Sequence, residues 1–145
     1  MVYLTRHEFF NAAHRLSNPK WSDEKNQNVF GKCANANWHG HNYELIVTVK
    51  GSVNPETGFL MDVKTLSNIL QMQVCEALDH KNLNLDVPFL KNILPSTENL
   101  CTCIWDIIVP HLPENVFLHR VKLYETPKIY VEYFGRSEEH TSELQ

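Results

Sequence analysis

Apolar and polar residues alternate with a period of two in four stretches of this chain, and recur at about 3.6 in two others. Residues 3–16 read as a strand with Glu8, Phe10, Ala12 and His14 on one face. Residues 41–53 alternate most clearly, with Tyr43, Leu45, Val47 and Val49 opposite Glu44, Ile46, Thr48 and Lys50. The turn composition of 54–58 predicts a hairpin in which 59–61 return as the partner strand. Asp62 is placed to cap a helix running to about Leu78, with Val63, Leu66, Leu70, Val74 and Ala77 as its apolar stripe. After a loop over 78–89, Pro95-Ser96-Thr97-Glu98 opens a second helix. Leu100, Ile104, Ile107, Ile108 and His111 mark one face of it, and Pro110 and Pro113 end it. Residues 117–124 and 129–134 are the last two strands, joined at Thr126-Pro127. Ser22 caps a shorter helix starting at Asp23-Glu24.

Hairpin-linked strands with two separate helices predict an α+β fold, an antiparallel sheet covered on one face. A sheet this small leaves its other face bare, so association with further copies is expected. At 145 residues the chain reads as one domain, residues 1–135. Residues 136–145 continue no element before them and read as an appended polar tail, resembling a translated sequencing adapter.

Composition narrows the function classes. Thirteen Lys and Arg against seventeen Asp and Glu disfavour a nucleic-acid partner, which needs a basic surplus. No apolar run is long enough to span a bilayer, and residues 1–8 do not read as a secretory signal. Four cysteines without framework spacing predict a reduced, cytoplasmic setting.

The eight histidines are the compositional excess. His39-Gly40-His41 at the start of a strand puts two imidazoles on one face, and Gly40 leaves room for a close approach on the other. If the first strand neighbours this one, His14 joins them. Three imidazoles with an open fourth position is the catalytic zinc arrangement, although such a pair can equally be hydrogen-bonded in place. Cys33 follows Gly31-Lys32 in a polar loop. Beside a metal ion it is a candidate thiolate base or nucleophile, or a fourth ligand. Cys75 reads as core, and Cys101 and Cys103 lie about 200° apart on a helix, too far round to share an ion. Asp79-His80 is a candidate acid–base pair. Glu98 sits in a helix's first turn, where the dipole alone favours a carboxylate. Glu125 closes a face formed by Phe117, Val121 and Leu123, where burial demands a partner.

Six segments occur together in order: Phe10-Asn11-Ala12-Ala13-His14-Arg15-Leu16, Phe30-Gly31-Lys32-Cys33, His39-Gly40-His41-Asn42-Tyr43, Leu78-Asp79-His80-Lys81-Asn82-Leu83, Ser96-Thr97-Glu98-Asn99 and Tyr124-Glu125-Thr126. With them the sequence closely resembles the 6-pyruvoyl-tetrahydropterin synthase family and its sister, 6-carboxytetrahydropterin synthase of queuosine biosynthesis, over essentially all of residues 3–135. The resemblance implies a tunnelling fold, a four-stranded antiparallel sheet with two helices on one face. Three such sheets would close into a barrel, and two trimers would stack into a homo-hexamer. It implies Zn2+ on His14, His39 and His41, and Cys33 as the proton-abstracting base. Asp79 and His80 would form a relay supplied by a neighbouring subunit. Thr97 and Glu98 would bind the pterin, and Glu125 would be a further active-site acid. Five residues separate Cys33 from His39, as in the pyruvoyl enzymes, whereas the carboxy enzymes usually have three. Asn37-Trp38 departs from the commoner loop sequence without touching a proposed catalytic group.

The expected activity is conversion of 7,8-dihydroneopterin triphosphate to 6-pyruvoyltetrahydropterin, as in tetrahydrobiopterin synthesis. The alternatives are the 6-carboxytetrahydropterin synthase reaction on the same substrate and a non-catalytic pterin-binding oligomer. The redox change is internal to the substrate, and no Gly-rich dinucleotide loop is present.

Overall fold

The structure is a computed structural model that describes residues 1–136. The segment expected as a tail, apart from Arg136, lies outside the described residues.

Two long strands make the spine. β1 (Val2–His14) pairs antiparallel with β2 (His39–Gly51) along its whole length, from Val2 opposite Gly51 to His14 opposite His39. β4 (Phe117–Thr126) pairs with β2, and β5 (Ile129–Tyr133) pairs with β4. Between β1 and β2 lie α1 (Asp23–Phe30) and a 3-10 turn, Gly31–Ala34. Ser22 caps α1, its side chain accepting from the Lys25 N–H. α2 (Val63–Leu70) is capped by Asp62 and runs on through a π turn, Gln71–Cys75, into the last turn, α3 (Glu76–Leu78). α4 (Thr97–Ile108) is capped by Ser96, whose side chain accepts from the Asn99 N–H.

Both long helices cover one face of the sheet, α2 over β1 and α4 over β4 and β5. Phe10, Tyr43, Leu45, Val47, Val121 and Leu123 meet Leu66, Leu70, Leu100, Ile104 and Ile108 there to form the core. Each such buried side chain contributes about 1.5–3 kcal/mol relative to exposure. Glu8 is buried among them, yet Arg6, Ser67 and Gln71 all donate to its carboxylate. The opposite face carries exposed Tyr3, Phe9 and Tyr130 beside the His7–Glu44 and Arg120–Glu132 pairs.

The architecture is α+β, as the pattern predicts, with four differences of detail. Lys81–Asn82 adds a short parallel strand, β3, beside β1, so the sheet is five-stranded and mixed, in the order β3-β1-β2-β4-β5. It exists because His80 turns into the left-handed region, φ 60°, and the His80 and Leu83 N–H groups then reach the Asn11 and Ala13 carbonyls. Among the described residues the helices are the expected pair on the sheet and the shorter α1, which starts at Asp23 as expected. Residues 59–61 form no strand: the Asn54 N–H bonds to the Phe59 carbonyl, and Leu60 folds back onto Gly51. A Cβ on Gly51 would stand 2.5 Å from Leu60 Cδ1 and 2.7 Å from the Asn115 carbonyl oxygen, so that close approach requires glycine. A bulge opposite Thr48 and Val49 puts Leu118 rather than Phe117 into the core. Finally, α4 stops at Ile108, and His111 lies exposed in the 3-10 turn that follows.

Candidate active site

The register of β1 on β2 assembles the site. His14 is directly opposite His39, and His41 is opposite Ala12 on the same face. The ring centroids of His14, His39 and His41 form a nearly equilateral triangle with sides of 4.5, 5.0 and 4.8 Å. One ligand atom from each lies within 4.8 Å of the other two. His14 is fully buried and its Nδ1 is 2.8 Å from the Pro95 carbonyl oxygen. A carbonyl only accepts, so Nδ1 carries the proton and Nε2 is left with a bare lone pair. That Nε2, His39 Nδ1 and His41 Nε2 are all buried without a hydrogen-bond partner among the described residues. Burial pushes the pKa of all three imidazoles below the ordinary 6.5, and proximity to one another lowers them further. The Pro95 carbonyl pulls His14 back upward, and Glu125 opposes the drop in all three. Neutral imidazoles with orphaned nitrogens aimed at one point fit a bound cation of the Zn2+ type.

Glu125 sits at a second bulge, where the β4–β5 register slips between Tyr124 and Thr126. One carboxylate oxygen is 3.4 Å from His41 Nε2, and the other accepts from the Thr97 hydroxyl. Thr97 is buried at the start of α4, whereas Glu98, next to it, is exposed. Cys33 is a half-buried free thiol in the 3-10 turn after α1. Its carbonyl accepts from the Leu16 N–H at 2.7 Å, which straps this turn to the chain just beyond His14.

Asp79 and His80 are joined to each other, with His80 Nδ1 3.0 Å from Asp79 Oδ2. Asp79 Oδ1 also accepts from the Asn11 N–H at 2.9 Å. That bond, more than the neighbouring imidazole, holds the Asp79 carboxyl below its usual range, and its slight burial does not offset this. The His80 side chain is 76% exposed. It lines an open cleft of about 610 Å3 together with Asn11, Gly40, His41, Asn42 and Asp86. Gly40 has ordinary room there, since an added Cβ would meet only the Ala12 carbonyl, at 3.6 Å.

Two contributors escape a reading of chemistry-bearing residue types. Tyr43 is buried against Phe10, with its hydroxyl 3.5 Å from His14 Nδ1. Burial raises its pKa strongly, so it remains a phenol. Its period-two spacing from His39 and His41 was the available signal. Pro95 acts through its carbonyl, which no side-chain pattern reveals.

Among the described residues, no helix is long and apolar enough to cross a membrane. The family profile described as 6-pyruvoyl tetrahydropterin synthase matches residues 3–136. The chain is 47% identical over 134 residues to the 6-pyruvoyl tetrahydrobiopterin synthase of Dictyostelium discoideum, covering 92% of this chain and 96% of that one. It is 43% identical over 132 residues to that of Homo sapiens, covering 91% and 90% respectively. The solved 6-pyruvoyl tetrahydropterin synthase of Caenorhabditis elegans superposes with a TM-score of 0.87 at 36% identity, covering 93% of this chain and 96% of that one. The chain belongs to the 6-pyruvoyl tetrahydropterin synthase family and is an enzyme of that kind.

Proposed function

We propose that this enzyme converts 7,8-dihydroneopterin triphosphate to 6-pyruvoyltetrahydropterin and triphosphate, with Zn2+ held by His14, His39 and His41. The observation that carries the reading is the convergence of three buried imidazole nitrogens that have no hydrogen-bond partner among the described residues. When bound, the ion would polarise the side-chain hydroxyls of the substrate and acidify the adjacent C–H. Cys33, as thiolate, removes that proton, and Asp79 with His80 relays protons to and from the reacting side chain. Glu98 and Glu125 accept from the amidine-like edge of the pterin, a fork of N–H donors suited to carboxylates, and Thr97 lies beside them. Tyr43 and the Pro95 carbonyl orient His14.

The sheet's bare face and the exposed Asp79–His80 pair support a tunnelling-fold assembly. In it, the sheets of three chains close into a barrel, two trimers form a hexamer, and the relay pair of one chain completes a neighbour's site. Residues 1–135 would form the catalytic domain, working in the cytoplasm. The spacing of Cys33 from His39 favours the pyruvoyl product over 6-carboxytetrahydropterin. Incubating the zinc-loaded protein with substrate and identifying products by mass spectrometry decides the matter. 6-Pyruvoyltetrahydropterin is the expected product, and 6-carboxytetrahydropterin with acetaldehyde would reassign the enzyme to queuosine biosynthesis.

A further inference from the structure

The Glu125 carboxylate has two oxygens with different surroundings. One receives the Thr97 hydroxyl, and the other is 3.4 Å from His41 Nε2, among the three imidazoles. Two independent features of the fold create this arrangement. The register slip at the end of β4 leaves Glu125 without a partner residue on β5, on the face of Val121 and Leu123, as bulges at sheet rims commonly leave one residue outside the ladder. Thr97 is the first residue of α4, directly after its cap. A threonine inside a helix tends to spend its hydroxyl on a carbonyl one turn back. At the first position that carbonyl is not part of the helix, and Ser96 already caps the Asn99 N–H. The Thr97 hydroxyl is therefore free to leave the helix, and it is donated to Glu125. Thr97 is 3% exposed, so its side chain offers little surface to a ligand directly.

We infer that Thr97 is a positioning residue. It fixes one oxygen of Glu125 and so presents the other, in a set orientation, to the donors of the pterin. The inference rests on the pterin-synthase reading above and changes the part Thr97 plays in it, from contacting substrate to acting through Glu125. An unanchored glutamate at a bulge has several rotamers open to it, and binding would then have to order it.

The test compares Thr97→Val, Thr97→Ser and Glu125→Gln with the double variant Thr97→Val/Glu125→Gln. Turnover of 7,8-dihydroneopterin triphosphate and the Kd of 7,8-dihydroneopterin, followed by fluorescence, are measured on zinc-loaded full-length protein. Thr97→Val should lower kcat/KM by about 10–100-fold and weaken dihydroneopterin by about 10-fold, as for a lost hydrogen bond to a charged group. Metal content should stay as in the wild type. Thr97→Ser keeps the hydroxyl and should stay within about 3-fold of wild type, and in the Glu125→Gln background the Val substitution should cost under about 2-fold. If Thr97→Val does not fold, Thr97→Ala removes the hydroxyl with less bulk and is read the same way. An unimpaired Val variant, failure of serine to rescue, or an equal loss in the Gln background would overturn the inference while leaving the function intact. A wild type without turnover would overturn both.

Discussion

The two histidine-bearing sites of this enzyme are built in opposite ways. His14, His39 and His41 lie on paired strands, where Pro95 and Tyr43 meet His14, Glu125 meets His41, and Thr97 donates to Glu125, all inside the same chain. The Asp79–His80 pair hangs on the sheet's edge, tied to β1 at Asn11 and largely open to solvent. Desolvation disfavours the charged form of the first cluster's imidazoles, which suits holding an ion. Exposure leaves the second orderly but unfinished, which suits a group that meets its target only when something else arrives. On the proposed reading, binding is organised within one chain and proton transfer between chains.

The strongest way to break that contrast is at the buried cluster. His39→Ala should release bound zinc, about one ion per chain in the wild type, and lower turnover by at least about 10³-fold, measured by metal analysis and product formation. Stoichiometric metal surviving the loss of both His39 and His41 would end the ligand assignment.

Next comes Cys33, whose turn is strapped to the end of β1. Cys33→Ala should retain zinc yet lose at least about 10²-fold in turnover, as for removal of a general base. Loss of the metal would make Cys33 a fourth ligand instead and place the base elsewhere.

Mixing distinguishes one chain from two. Cys33→Ala and His80→Ala should each be inactive alone, and should recover a fraction of wild-type activity when unfolded and reassembled together. The active species should be near six chains by size. A demonstrably mixed oligomer without rescue would place Asp79 and His80 with their own chain's Cys33.

What the sequence could reveal follows the same division. His39, Gly40 and His41 declare their face because a strand's period is two, and Ser22, Asp62 and Ser96 declare helix starts because an N-cap is a local bond. Candidate site residues were legible as residue types, but their grouping depends on register, which brings His14 opposite His39 across 25 residues of chain. β3 was invisible, since two residues have no period and its bonds come from the backbone around His80. The π turn was equally hidden. It moves the buried stripe from Leu66, Leu70 and Val74 onto Cys75 and Leu78, without a proline or glycine to announce it. The strand predicted over 59–61 failed because Leu60 is recruited by tertiary packing against Gly51.

The smallest expected effect separates the clusters by pH. In metal-stripped protein desolvation holds the three imidazoles, one buried and two half-buried, below the ordinary 6.5. As pH falls past 6.5 the unfolded chain takes up protons that the folded chain refuses, so stability declines until the folded groups titrate too. Asp79 is also depressed, from 3.8, and so is Glu8, from 4.5, where burial raises the value but the bonds from Arg6, Ser67 and Gln71 outweigh it. Their contribution is fully present above those ordinary values and is lost only as pH falls through the folded ones. Thermal melts of the stripped protein should therefore fall in two windows, one opening near pH 6.5 and one below about pH 4.5. At this chain length each 1 kcal/mol lost should lower the melting temperature by about 2–4 °C. His41→Gln should shrink the first window and leave the second. A flat melting profile between pH 7 and 5 would mean that the triad titrates folded as it does unfolded, and the contrast between a closed and an open histidine cluster would fail.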